Sequence, residues 1–191
     1  MRESGSAYNS TRLIFEPLRA EHAAALFEAL RDPLVYEHLN CEPPAAVDEL
    51  SEEFARLSAG PPPGRGDQQW INFAVQRKTD DRWIGRVPAT VHANWAEVAY
   101  LFEPACWGHG YASESLAWLQ RYIESQEGVS EFWASAAPTN QRSISLLLRA
   151  DYRRASLCDV RPLGSFEAGD DVFRFVNETS INDDLANEHF R

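Results

Sequence analysis

The nine residues Cys106-Trp107-Gly108-His109-Gly110-Tyr111-Ala112-Ser113-Glu114 could do chemistry by backbone alone. They lie between an extended run, Glu97 to Glu103, and a helical run, Tyr111 to Gln126, so two glycines mark the handover from strand to helix. The first turn of a helix leaves four backbone N–H groups without partners and carries the positive end of the macrodipole. Glycines let a phosphate reach those groups without meeting a Cβ. A phosphate-bearing ligand is therefore the first to expect. Dinucleotide and nucleoside-triphosphate loops are excluded, because the chain has neither a G-x-G-x-x-G run nor a Walker lysine. An ordinary glycine-rich turn has the same composition, so the reading depends on the elements around it.

Those elements follow from periodicity. Residues 1–10 read as a disordered leader, and 178–191 as a polar, acidic tail. Between them, 11–177 reads as a single domain. Leu13, Phe15 and Leu18 mark a first strand within Thr11 to Arg19. Ala23, Leu26, Phe27 and Leu30 recur at helical spacing and stop at Asp32-Pro33. A second helix follows Pro43-Pro44, with Val47, Leu50, Phe54 and Leu57 on one face. The segment Gly60 to Gly66 holds three prolines and three glycines and reads as a surface loop. Trp70 to Arg77 and Arg82 to His92 flank a turn at Lys78 to Asp81, and Val98, Tyr100 and Phe102 continue the alternation. After the glycine run comes a helix, then a strand at Phe132 to Ala136, a helix over Asn140 to Ala150, and strands at Tyr152 to Val160 and Val172 to Val176. The expected fold is α/β in the α+β sense: a mixed, mostly antiparallel sheet of about seven strands flanked by about four helices.

Composition narrows the function classes. The 191 residues, 44% of them hydrophobic, can bury one sizeable core. A net charge of −11 and a pI near 4.9 argue against nucleic acid and favour cationic partners such as amines, although such a surface also serves solubility. Cys41, Cys106 and Cys158 are scattered, with neither a C-x-x-C pair nor a histidine at ligand spacing, so neither disulfides nor a metal site are expected. There is no apolar leader and no membrane-length apolar run, which makes a cytoplasmic protein the default expectation.

The pattern W-G-x-G-Y-A-x-E at Trp107 to Glu114 resembles the acyl-coenzyme A pyrophosphate loop of the GNAT N-acetyltransferases. The order of elements matches that family. So do Arg12-Leu13 with Leu18-Arg19, Trp83-Ile84-Gly85, Glu97-Val98-Ala99-Tyr100, and Asn140-Gln141-Arg142-Ser143 followed by Leu146 and Asp151-Tyr152. Agreement among separate segments, covering roughly residues 11 to 177, is what favours the resemblance over a chance turn. The branch most resembled contains the ribosomal-protein N-terminal serine and alanine acetyltransferases, whose relatives also act on antibiotics and small amines.

The resemblance implies an enzyme that moves an acetyl or short acyl group from acetyl-CoA to a primary amine, on a protein N-terminus or a small molecule. Attack would be direct, in a ternary complex, through a tetrahedral intermediate and without metal. By resemblance, the backbone of Trp107, Gly108, His109, Gly110, Tyr111 and Ala112 would hold the pyrophosphate. Leu101, Phe102 and Glu103 would pair with the pantetheine arm, and a backbone N–H there would polarise the thioester carbonyl. Asn140 would bind the pantetheine amides and Ser143 would face the sulfur. Asn140 equally suits a helix N-cap. Many members place a tyrosine acid four residues before the G-F pair; here that position is Leu147, so Ser143 or solvent would serve the thiolate. Asp151 stands where glycine is usual, and aspartate tolerates left-handed geometry better than most residues.

For the general base, Glu97, Glu103, Asp159, His92 and His109 are candidates, and Glu97 leads, with a surface strand glutamate as its plain alternative. Arg142 and Arg149 could meet coenzyme phosphates. Cys106 and Cys158 lack a base partner that would make an acyl-enzyme. Trp70, Trp83 and Trp95 line the acceptor site or the core. A homodimer is compatible with these residues, and no membrane partner is expected. An acyl-coenzyme A sensor without turnover would keep the glycine loop yet need neither Ser143 nor a base.

Overall fold

A computed structural model of the chain describes residues 8–64, 67–156, 158 and 160–177. The tail, most of the expected leader, and Arg65, Gly66, Leu157 and Asp159 lie outside the described residues. Along the described chain the elements are β1 (Leu13–Pro17), α1 (Ala23–Leu30), α2 (Pro33–Tyr36), α3 (Val47–Ser58), β2 (Gln69–Arg77), β3 (Arg82–Val91), β4 (Ala96–Val98), β5 (Leu101–Phe102), α4 (Tyr111–Glu127), β6 (Glu131–Ala136), α5 (Gln141–Arg149), β7 (Arg153–Arg154) and β8 (Asp171–Val176). Tight 3-10 turns occupy Ala20–His22 and Pro104–Cys106.

The strands form one sheet in the order β1-β2-β3-β4-β6-β8-β7, with β5 also on β3. Every pairing is antiparallel except β4 with β6. Because strand side chains alternate, each strand feeds both faces. On one face Leu116, Leu119 and Ile123 of α4 and Ile144 and Leu147 of α5 pack on Phe73, Val98 and Phe132. The other face is divided: Leu26 and Leu30 of α1 and Leu50 and Phe54 of α3 cover Ala74, while Leu163 folds back onto Trp95 and Trp133. Trp95 and Trp133 are buried core, and Trp83 packs against the α1–α3 cluster.

Several boundaries differ from expectation, each for a physical reason. The strand expected over Glu97 to Glu103 is divided into β4 and β5. Pro88 sits opposite the break; its carbonyl accepts the Ala99 N–H at 2.9 Å, but it has no N–H to return. Beside it β6 pairs with β4 only at Ala96 and Glu97, so the outer edge beyond Glu97 parts from β6. The strand expected over Tyr152 to Val160 contracts to β7, where Arg153 faces Arg174 and like charges oppose. Asp32-Pro33 both ends one helix and starts another: proline takes the first position of α2 and Asp32 Oδ1 accepts the Leu34 N–H at 3.0 Å, which makes five α-helices among the described residues where about four were expected. Tyr8 to Ser10, expected in the leader, join the fold, with the Tyr8 ring 5.9 Å from Phe73 and Asn9 bridging Ile14. Among the described residues no helix is long and apolar enough to cross a membrane.

Candidate active site

The glycine run forms the entry to α4. The Pro104–Cys106 turn closes β5, and Trp107 Nε1–H donates to the Phe102 carbonyl at 2.9 Å, fixing the loop against the strand. Gly108 and Gly110 have φ of 77° and 79°, in the left-handed region that favours glycine. Gly110 is the N-cap, and no side chain caps the helix. A Cβ on Gly108 would meet nothing within 4 Å, so open space lies before the loop. Uncapped amides, the dipole of a 17-residue helix and that space fit a phosphate group.

The glutamate of the motif clamps the loop from behind. Glu114 Oε1 accepts from Ser10 Oγ at 2.6 Å and from the Arg12 N–H at 2.8 Å, and Oε2 from Arg12 Nε at 2.7 Å. Burial alone would raise its carboxyl, but the hydrogen bonds from Ser10 and Arg12 outweigh it and hold the group below its ordinary range. Arg12 Nη1 reaches on to the His109 carbonyl at 2.9 Å, and its guanidinium lies 4.6 Å from the Tyr111 ring centre. From the other side the Arg142 guanidinium stacks 4.0 Å over Trp107. Arg77 joins them, its guanidinium 5.9 Å from the Tyr111 ring centre and its Nη1 3.7 Å from Cys106 Sγ, so arginines flank the loop of an otherwise acidic chain. Cys106 is no nucleophile here: burial, then its bond to Glu103 Oε1 at 3.1 Å, pushes its thiol up to about 12.

The strand edge beside the loop has a defined polarity. Ala99 N–H donates to Pro88 and Glu103 N–H to Ile84, so odd-numbered backbone groups face β3 and those of Tyr100 and Phe102 face away. Of the expected pantetheine contacts, Leu101 and Glu103 therefore turn their backbone inward, and Phe102 turns outward with Tyr100. Gly85 is required for this approach, because a Cβ there would sit 2.2 Å from the Leu101 carbonyl oxygen.

At the start of α5, Asn140 is the N-cap and its Oδ1 accepts the Ser143 N–H at 3.0 Å, leaving its amide N–H groups outside that bond. The Ser143 hydroxyl lies 2.7 Å from the Tyr100 hydroxyl. Glycine loop, divided strand and α5 thus meet, through Arg142 on Trp107 and Ser143 on Tyr100.

The expected bases that are described hold other contacts. Glu97 is only 7% exposed, and its carboxylate accepts from the Gly164 N–H at 2.7 Å, the Ser165 N–H at 2.9 Å and the Ser165 hydroxyl. It anchors the loop after β7 rather than facing Ser143. Glu103 accepts from Cys106 and from Arg82 Nη2 at 2.9 Å. His92 stacks on Trp95 at 3.8 Å, where burial lowers its pKa, and His109 Nδ1 lies 2.9 Å from the Trp107 carbonyl. Asp159 lies outside the described residues. Instead, a cleft of about 330 Å³ opens beside Asn140, lined also by Glu37, His38, Thr139, Gln141 and Arg142. His38 Nδ1 is 3.3 Å from Thr139 Oγ1, and Glu37 is 3.5 Å from Arg142 Nη2. Sequence reasoning missed Glu37, His38 and the Tyr100 hydroxyl. The first two sit at the end of α2, the helix hidden by Asp32-Pro33.

Known proteins share this fold. The model of the acetyltransferase (GNAT) domain matches residues 12–153. An uncharacterized N-acetyltransferase of Bacillus subtilis, YoaA, is 24% identical over 150 residues, 75% of this chain and 80% of its own. The acetyl transferase of Salmonella typhimurium that modifies the N-terminal serine of ribosomal protein L7/L12 superposes with a TM-score of 0.70 at 15% identity, covering 88% of this chain and 96% of that one. Spermidine N-acetyltransferase of Vibrio cholerae, solved with CoA and spermine, gives a TM-score of 0.66 at 16% identity, covering 91% and 100%. With its glycine loop, its divided strand and α5 in these places, the chain belongs to the GNAT family and is an N-acetyltransferase.

Proposed function

We propose that the chain transfers an acetyl or other short acyl group from acetyl-CoA to a primary amine, by direct attack within a ternary complex. The carrying observation is the meeting of the uncapped α4 N-terminus, the outward edge at Tyr100 and Phe102, and Ser143, which are far apart in sequence. The loop amides from Gly108 to Ala112 take the pyrophosphate, with Arg12 and Arg142 beside it; the Trp107 N–H, expected among them, is held by the Pro104 carbonyl at 3.1 Å. Pantetheine adds to the strand edge as an extra strand, through Tyr100 and Phe102 rather than Leu101 and Glu103, and meets the Asn140 amide. An outward N–H on this edge polarises the thioester carbonyl, a role typically worth about 3 kcal/mol. Ser143 faces the departing sulfur.

The cleft at Glu37 and His38 receives the acceptor. Glu37 suits an ammonium, as does the net charge of −11, and His38 is the titratable group best placed to take its proton. The Salmonella and Vibrio neighbours, one modifying a protein N-terminal serine and one bound to spermine, support a protein N-terminus and a small polyamine as the two acceptor classes to test. One observation favours a sensor instead: both leading strand carboxylates, Glu97 and Glu103, already hold hydrogen bonds.

Thermal melting with excess acetyl-CoA tests the donor. A ligand at a hundred times its Kd stabilises by about 2.7 kcal/mol, and the midpoint should rise by several degrees. Thiol release with peptides beginning in serine or alanine, and with spermine, then tests turnover. Binding without release across that panel would replace the enzyme reading by the sensor one.

A further inference from the structure

Tyr100 follows the break opposite Pro88, and its side chain leaves the sheet on the face covered by α5, where its hydroxyl meets that of Ser143 at 2.7 Å. Two hydroxyls own two hydrogens, and the bond between them uses one. The backbone around Ser143 is already engaged: its N–H is held by Asn140 Oδ1, the Asn140 carbonyl accepts from Ile144, and the Thr139 carbonyl accepts from Gln141. A serine in a first helical turn often bonds back to such a carbonyl. Here Tyr100 offers it a different partner.

Resting on the acetyl-transfer reading, we propose that Tyr100 is a positioning residue: its hydroxyl donates to Ser143 Oγ and so leaves the serine hydrogen aimed at the coenzyme sulfur. The phenol suits the donor part of this bond, being the stronger acid of the two hydroxyls. Burial also pushes its pKa up to about 12, against a smaller lowering by Ser143, so it remains protonated at neutral pH. Its titratable neighbour is Tyr152, from the turn after α5, likewise raised by burial and bonded to Gln120 Nε2 at 3.1 Å. Arg142, one residue before Ser143, is directed to Trp107. When the C–S bond breaks, its electron pair stays on sulfur and the Ser143 O–H hydrogen-bonds to the thiolate. The proton lost by the attacking nitrogen reaches sulfur through solvent, and neither hydroxyl is left ionised. This arrangement does without a tyrosine at Leu147, which is fully buried in the core.

The test titrates the thiol of bound coenzyme A by its ultraviolet thiolate absorbance, in the unaltered protein, Tyr100→Phe, Ser143→Ala and the double variant. An ordinary thiol titrates at about 8.5. The bound thiol should titrate about one unit lower than free coenzyme A, each single variant should remove most of that lowering, and the double variant should remove no more. With spermine or a serine-initiated peptide as acceptor, Tyr100→Phe should lower kcat roughly tenfold at unchanged KM for acetyl-CoA. Coenzyme A that binds with the same thiol pKa in Tyr100→Phe, or shifts that add in the double variant, overturns the role of Tyr100 alone. Absence of coenzyme A binding in the unaltered, folded protein overturns the acetyl-transfer reading as well. Melting curves identify any variant that fails to fold, and Ser143→Thr, which keeps the hydroxyl, should retain the lowered thiol pKa.

Discussion

The proposed coenzyme end and the proposed acceptor end of this molecule are built differently. At the coenzyme end the working groups are backbone amides, set by two left-handed glycines, a helix start and a strand edge. Local sequence dictates such features directly. At the proposed acceptor end the working groups are the side chains of Glu37 and His38, which follow α2 and face Thr139 and Arg142 across the cleft. Their placement depends on tertiary packing, which short motifs do not encode. A backbone site tolerates drift in its side chains, whereas a side-chain site can be retargeted by changing a few of them.

Substitutions can break or sharpen this contrast. The largest effect is expected from Gly110→Glu, which puts a carboxylate beside the phosphate site. Acetyl-CoA affinity by calorimetry should fall at least about a hundredfold, while stability falls by only about 1–2 kcal/mol from the left-handed backbone. Unchanged affinity would remove the loop from coenzyme binding. Next, Glu97→Gln should destabilise the fold by about 1–3 kcal/mol, because three donors lose a charged acceptor. A turnover loss with an unaltered urea midpoint would instead return Glu97 to the role of base.

Glu114 gives a smaller, pH-dependent effect. Its folded pKa lies below the ordinary 4.5, so its stabilisation is complete above that value and disappears as pH falls through the folded one. Between pH 5 and pH 3 the unaltered protein should lose more stability than Glu114→Gln in parallel denaturant titrations. The smallest effect is expected at Asp151, whose φ is 62°. It ends α5 with paired bonds, Asp151 N–H to Leu148 and Tyr152 N–H to Leu147, the geometry that glycine usually supplies. Asp151→Gly should raise stability by roughly 0.5–1 kcal/mol, visible as a slightly higher Tm, with coenzyme affinity unchanged.

Much of the coenzyme end was legible in the residues. The strand-to-helix handover, the open loop, the N-cap at Asn140 and the left-handed Asp151 all follow from local backbone preference. The division between β4 and β5 also had a local signal, the proline at position 88, but the strand opposite it had to be known before that signal meant anything. Tyr100 reads only as one more apolar position in an alternating strand, since its partner lies 43 residues away. Glu97 looks like a free strand carboxylate until the loop at Gly164 and Ser165 folds back over it. In both cases a long-range contact decides the role, and sequence spacing does not report it.

The Glu114 clamp also bears on the order of events in folding. It joins residues 102 positions apart, and contacts of that span form slowly because chain entropy must be lost before they are made. During synthesis Arg12 emerges long before Glu114, so the first strand has no anchor on α4 until well past the middle of the chain. The anion loop therefore acquires its final shape late, and the ability to bind coenzyme reports completed assembly rather than early collapse.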